Sequence, residues 1–236
     1  LVVVDGGWDV NADSVRSKIK SMGGSVDAWI LTHPHDDHIG AFCEIYKNPD
    51  GIKIKKVYAV DMAAPELCLK NAPWDGVDMY QRFLELEIPN LKLLHAGDKI
   101  KKGQICIEVL NAYEDKTDEL SDDLLNDGSM MFLVKGKTEK MLFCSDVGKS
   151  MSTYLMEKYG DVLDCEYVQM GHHGNGGLLP EFYKKVSPDA AFFDAPGWLF
   201  YDTTGTYNTP EKRKLMESIG CAIYSFETTP NSIVLK

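Results

Sequence analysis

Val26-Asp27-Ala28-Trp29-Ile30-Leu31-Thr32-His33-Pro34-His35-Asp36-Asp37-His38 is the stretch on which the reading of the chain turns. Val26–Thr32 has the length and apolar character of a buried strand. It runs straight into three imidazoles and two carboxylates, a mixed nitrogen–oxygen ligand set suited to zinc, manganese or iron. Pro34 fixes the local backbone, so side chains at 33 and 35 can point at one ion while 37 and 38 serve another. A helix is expected immediately afterwards, over Ile39–Tyr46.

Working outward, Leu1–Asp5 is a second buried strand, stopped by Gly6-Gly7, and Asp13–Met22 is a short helix stopped by Gly23-Gly24. Strands are expected at Lys55–Val60, Leu91–Leu94 and Ile105–Leu110, with a helix at Val77–Leu86 and an acidic loop over Glu114–Asp127. Met130–Val134 and Met141–Ser145 read as a hairpin closed around Gly136. Helices at Met151–Tyr159, Pro180–Val186 and Pro210–Ile219 then alternate with strands at Tyr167–Met170, Ala190–Asp194 and near Ile223 and Ile233. Strands and helices mixed in this way make a layered α/β (α+β) fold. No linker-like stretch divides residues 1–236, so a single domain is expected.

The histidines are as informative as the strands. Gly171-His172-His173-Gly174 forms a second cluster, again after a strand. Between the clusters, Ser145-Asp146 places a carboxylate at the end of another apolar run, and Asp5 does the same before Gly6-Gly7. Polar groups gathered at strand C-termini are how layered α/β folds assemble a site along one edge. His95, inside Leu93-Leu94-His95, reads as a structural strand histidine. Gly174-Asn175-Gly176-Gly177 lacks the lysine and spacing of a phosphate-cradling loop and reads as a flexible rim.

Composition narrows the class. The 236 residues carry 25 Lys and Arg against 36 Asp and Glu, a formal charge of −11. That field disfavours a long polyanion such as nucleic acid. Lys53, Lys55 and Lys56, and Lys99, Lys101 and Lys102, read as solvated faces of strands. No apolar run approaches the roughly 20 residues of a membrane span. Six cysteines without a CxxC read as buried free thiols. The chain opens on Leu1 with no signal peptide, and a start directly on a strand points to trimmed upstream sequence.

Val4-Asp5-Gly6-Gly7, His33-Pro34-His35-Asp36-Asp37-His38, Ser145-Asp146 and Gly171-His172-His173-Gly174 resemble the ordered motifs of the metallo-β-lactamase fold superfamily. The spacing between Asp146 and His172, with Asn126-Asp127-Gly128-Ser129 before the hairpin, resembles the hydrolase domain of bacterial competence (DNA-uptake) proteins and the phosphorylcholine esterases. The resemblance implies a four-layer αββα sandwich, here without the strands that usually precede Asp-Gly-Gly. It implies two divalent ions, zinc first, with manganese or iron as alternatives. His33 and His35 would hold one ion, Asp37 and His38 the other, and Asp146 would bridge them. His172 is favoured as the last ligand, with His173 facing substrate; the reverse assignment stays open. Asp5 would orient a ligand or the metal-bound water, and Asp37, His173 and Tyr207 would join it in catalysis.

The departures matter. Many members of the superfamily place a further histidine where this chain has Val109-Leu110-Asn111-Ala112, and the competence-type branch carries histidines where this chain has Tyr207-Asn208-Thr209. The function implied first is hydrolysis of a phosphodiester or phosphate ester in a small molecule by a metal-bridging hydroxide. The alternatives are hydrolysis of a lactone, thioester or β-lactam, and a non-catalytic metal-binding domain of a surface or uptake protein.

Overall fold

A computed structural model describes residues 1–227 and 230–236. These residues form two compact units. The first comprises residues 1–95, 112–118 and 122–130, and the second residues 96–111, 119–121 and 131–236.

In the first unit, β1 (Val2–Val4), β3 (Ala28–Leu31), β5 (Val57–Val60) and β6 (Leu91–Leu94) pair in that order as an all-parallel sheet, while β2 (Ser25–Val26) pairs with β4 (Lys53–Ile54). Trp29, Ile30 and Val57 are fully buried, as parallel strands with both faces covered require. The same unit holds the helices α1 (Ala12–Ser21), α2 (Asp36–Lys47), α3 (Pro65–Asn71) and α4 (Asp78–Leu84), and Trp29 meets Phe42 of α2 edge-on at 5.1 Å. Because every strand runs the same way, their C-terminal ends share one edge. That edge carries Asp5, Thr32-His33, Asp61 and His95.

Three local differences from the sequence reading have physical causes. α2 begins at Asp36 rather than Ile39, because Asp36 and Asp37 favour the positive end of a helix dipole. α3 starts with Pro65 in its first turn, where the missing N–H costs nothing. The acidic stretch forms two short helices, α5 (Asp115–Leu120) and α6 (Leu124–Asp127), the second capped by the Asp123 side chain, which accepts from the Asn126 N–H.

In the second unit, β7 (Lys99–Lys102), β8 (Ile105–Asn111), β9 (Met131–Lys135), β10 (Lys140–Phe143), β11 (Tyr167–Gln169), β12 (Ala190–Phe193) and β13 (Ala222–Ser225) form one sheet in order β13-β12-β11-β10-β9-β8-β7. It is antiparallel from β7 to β10, which includes the expected hairpin, and parallel from β10 to β13. In β7 the lysines are exposed and Ile100 is buried, the solvated face expected. Leu133, Leu142, Val168 and Phe193 of the strands pack with Leu155 of α7 (Ser152–Tyr159), Phe182 and Val186 of α8 (Pro180–Val186), and Met216 of α10 (Thr209–Ser218). A short α9 (Gly197–Phe200) follows β12. Ile233 lies in no assigned strand, although the terminal Lys236 carbonyl accepts from the Thr138 and Glu139 N–H groups beside the hairpin turn. Among the described residues no helix is long and apolar enough to cross a membrane.

The six cysteines are free, and all but Cys106 are buried. Burial pushes the Cys43 thiol up to about 11 and those of Cys68, Cys165 and Cys221 up to about 12. In the unfolded chain these thiols ionise near 9, so above that pH the unfolded state releases protons first. Folding stability should therefore hold below pH 9 and fall as pH rises toward 12, at about 1.4 kcal/mol per pH unit for each thiol. Urea denaturation from pH 8 to 11 measures this. Replacing the buried cysteines with alanine should flatten the slope.

Candidate metal centre

The first group of candidate ligands lies entirely in the first unit. The Asp5 carboxylate accepts from the Thr32 N–H through Oδ1 at 2.8 Å and from the Thr32 hydroxyl through Oδ2 at 2.7 Å. The same Oδ2 lies 2.8 Å from His38 Nδ1. That nitrogen is therefore the protonated one, and His38 keeps Nε2 for another partner. Asp5 holds this place through the backbone: its N–H donates to the Ile30 carbonyl and its own carbonyl accepts from the Trp29 indole N–H. Gly6 N–H then donates to the His38 carbonyl, tying the Asp-Gly-Gly turn to the start of α2. Gly40 makes that approach possible, because a Cβ there would lie 2.5 Å from the Asp9 nitrogen.

His33 and His35 complete this group. The Thr32 hydroxyl donates its hydrogen to Asp5, so its oxygen is placed to accept from His33 Nδ1 at 3.2 Å. His35 Nε2 lies 2.8 Å from Asp75 Oδ2 and carries the proton toward that carboxylate. Each ring thus commits its protonated nitrogen to an oxygen and turns the other inward. The two inward nitrogens, His33 Nε2 and His35 Nδ1, approach to 2.9 Å. Two converging lone pairs on neutral imidazoles suit a shared Lewis acid. Asp37, in the first turn of α2, brings its Oδ1 to 4.0 Å from His38 Nε2.

A separate group of candidate ligands lies in the second unit, at the C-terminal ends of β10, β11 and β12. Gln169 is its hub. Its Oε1 accepts from the N–H groups of Cys144 and Ser145 at 3.0 Å each, and its Nε2 donates to both carboxylate oxygens of Asp194 at 3.2 Å. Asp146 follows that clamped turn and is 2% exposed. His173 Nδ1 lies 3.2 Å from the Asp194 carbonyl, and its Nε2 lies 3.5 Å from Asp146 Oδ2. His172 Nε2 lies 3.8 Å from the same oxygen. These spacings are long for hydrogen bonds and suit donors flanking a cation. The two histidines differ in surroundings: the His173 side chain is 16% exposed and backed by Asp194, whereas that of His172 is 36% exposed.

The turn bearing these histidines is anchored from below. The Gly171 N–H donates to the Tyr183 hydroxyl at 3.0 Å, and the Lys212 ammonium donates to the Leu178 carbonyl. Burial pushes Lys212 down to about 8. Gly177 lies against the Gly171 carbonyl, where any Cβ would collide. Asn208 Oδ1 accepts from the Gly176 N–H at 2.5 Å, so the rim glycines are tied to the start of α10.

The remaining expected residues are placed as follows. Asn111 is buried at the end of β8, beside a bulge between Val109 and Asn111. His95 is an exposed residue just beyond β6, with Nε2 3.8 Å from Asp61 Oδ2. Tyr207 meets Trp198 edge-on at 5.3 Å. Residues outside the sequence reading also take part. Asp194, a carboxylate ending a strand, carried the same signal as Asp5 and Asp146. Gln169 and Asp75 carried none, because their roles arise only from tertiary contacts.

Removing the Asp5 carboxylate should be costly even without metal. Asp5→Ala leaves the buried Thr32 N–H and hydroxyl without their acceptor and should destabilise the protein by about 2–4 kcal/mol. Urea denaturation of metal-free protein measures the loss.

Comparison with known proteins identifies the fold. A sequence profile described as the metallo-beta-lactamase superfamily matches residues 1–74. CmlA, a diiron beta-hydroxylase from Streptomyces venezuelae, superposes with a TM-score of 0.56 at 13% identity, over 86% of this chain and 44% of that one. The metallo-beta-lactamase fold protein YhfI from Bacillus subtilis superposes with a TM-score of 0.55 at 12% identity, over 97% of this chain and 85% of that one. This chain therefore spans less than half of CmlA. No curated protein matches the sequence. The chain has the metallo-beta-lactamase fold, and over residues 1–74 it matches that superfamily in sequence as well.

Proposed function

We propose that the chain is a binuclear metal-dependent hydrolase acting on a phosphodiester or phosphate ester in a small molecule. The observation that carries this is the placement of three imidazoles: His33, His35 and His38 each set one ring nitrogen against an oxygen, which assigns the proton there and leaves the other nitrogen as a lone pair for a cation. Such a set matches divalent ions of the zinc, manganese and iron group.

On this reading His33 and His35 would hold one ion and Asp37 and His38 the second; the resemblance adds Asp146 as the shared ligand and one histidine of the 172–173 pair. The more buried, carboxylate-backed His173 replaces His172 as the favoured ligand. His172 then faces substrate, where its imidazole can assist the leaving oxygen. Divalent ions in such a pair lower the pKa of water toward neutrality and stabilise charge developing on phosphorus oxygens. Asp5 keeps His38 and, through Thr32, His33 in their donor tautomers. The superfamily the chain resembles often carries a further histidine where this chain has Val109-Leu110-Asn111-Ala112, so the first ion would have one imidazole fewer and room for a substrate oxygen. The charge of −11 favours a compact phosphate compound over a long nucleic acid. Tyr207 and Trp198, joined to the histidine turn through Asn208, would border the substrate.

Metal analysis with an activity screen tests the proposal. Purified protein should retain two equivalents of divalent metal and hydrolyse bis-p-nitrophenyl phosphate in preference to nitrocefin, a lactone or a thioester. Inorganic phosphate should inhibit competitively. Asp146→Ala should lose metal from both positions and reduce turnover by at least about 100-fold. Turnover of nitrocefin or a thioester without the phosphodiester would replace this reading with carbonyl hydrolysis. Metal binding without any turnover would make the chain a metal-binding domain alone.

A further inference from the structure

We infer that Asp75 is a positioning residue for the first ion: its carboxylate fixes the His35 tautomer and adds negative charge behind the His33–His35 pair. The inference rests on the metal-centre reading above and extends it to a residue outside every motif of the chain.

The geometry is specific. Asp75 lies forty positions from His35 in sequence, in the turn between α3 and α4, yet its Oδ2 is 2.8 Å from His35 Nε2. The pair is shielded, with side-chain exposures of 12% for His35 and 21% for Asp75. The carboxylate is itself aimed: Oδ1 accepts from the Gly76 N–H at 3.0 Å, leaving Oδ2 for the imidazole. The turn is pinned on both sides. Ala72 and Val77 are buried, the Asp75 N–H donates to the Ala72 carbonyl at 3.0 Å, and Asn71 Oδ1 accepts from the Leu124 N–H at 3.1 Å. Asp75 therefore does not trail in solvent and meet His35 by chance.

The chemical consequence follows from the ring. An imidazole that donates from Nε2 to a carboxylate has its lone pair on Nδ1, the atom facing His33 Nε2 at 2.9 Å. The negative charge also raises the basicity of Nδ1, strengthening the bond that nitrogen makes to a cation. Asp5 does this for His38 directly and for His33 through the Thr32 hydroxyl. Asp75 does it for His35, the one imidazole of the cluster that Asp5 does not reach through these contacts.

Asp75→Asn and Asp75→Ala separate charge from geometry. Zinc affinity is measured by competition with a chromophoric chelator, and the His35 tautomer by ring nitrogen NMR of the metal-free protein. In wild type, His35 should be the Nε2–H tautomer and zinc should bind at two sites. Asp75→Asn should weaken only the first zinc, by 10–100-fold, with His35 still mainly Nε2–H. Asp75→Ala should weaken it at least as much and leave a mixture of tautomers. Thermal unfolding of both metal-free variants close to wild type excludes a folding defect as the cause. Wild type that takes up no zinc overturns the metal-centre reading and this inference with it. Two zinc sites in wild type, with both affinities unchanged in Asp75→Ala, overturn the role of Asp75 alone.

Discussion

The Asp5 carboxylate is the constraint on which the first group of candidate ligands depends. It accepts the Thr32 N–H, the Thr32 hydroxyl and His38 Nδ1, so one charge sets the end of β3, the start of α2 and the proton positions of two imidazoles. A charge this shielded is tolerable only because several donors satisfy it. The left-handed backbone at Asp5, with φ of 49°, is tolerated by aspartate and is held by hydrogen bonds to β3 on either side of the residue. The glycines after it let the turn lie against α2. Structure and chemistry share one group here, which is why a strand ending in Asp-Gly-Gly belongs with a histidine cluster nearly thirty residues later.

The second unit reaches a comparable result with an uncharged amide. Gln169 uses its oxygen to hold the turn before Asp146 and its nitrogen to hold Asp194, the residue behind His173. Neighbouring parallel strands make this possible, because β10, β11 and β12 deliver their C-terminal ends to the same edge. Once a parallel strand order is set, groups far apart in sequence meet without long loops.

Much of this was legible in the residues. Apolar runs ending in Asp or His located β1, β3, β10, β11 and β12 and the polar group that follows each. The boundaries that moved did so where one residue serves two purposes. Asp36 and Asp37 read first as ligands, yet they also open α2. The acids of Glu114–Asp127 read as a solvated loop, yet Asp123 caps a helix. The choice between His172 and His173 was beyond the sequence, because adjacent identical residues differ only in what surrounds them. Asp75 and Gln169 were equally beyond it, since neither sits in a pattern and each matters through one contact with a distant strand end.

The backbone around the second histidine pair narrows what evolution can place there. His172 and His173 have φ of 50° and 55°, and Gly174 follows with φ of 84°. Consecutive left-handed residues cost about 1–2 kcal/mol each, less for histidine, asparagine and aspartate than for most side chains. Cysteine would offer a ligand atom at 173 but not that backbone tolerance, and glycine the reverse. Histidine meets both demands. Under the proposed function the residues able to serve at position 173 are the overlap of two independent filters, coordination chemistry and a mirror-image backbone.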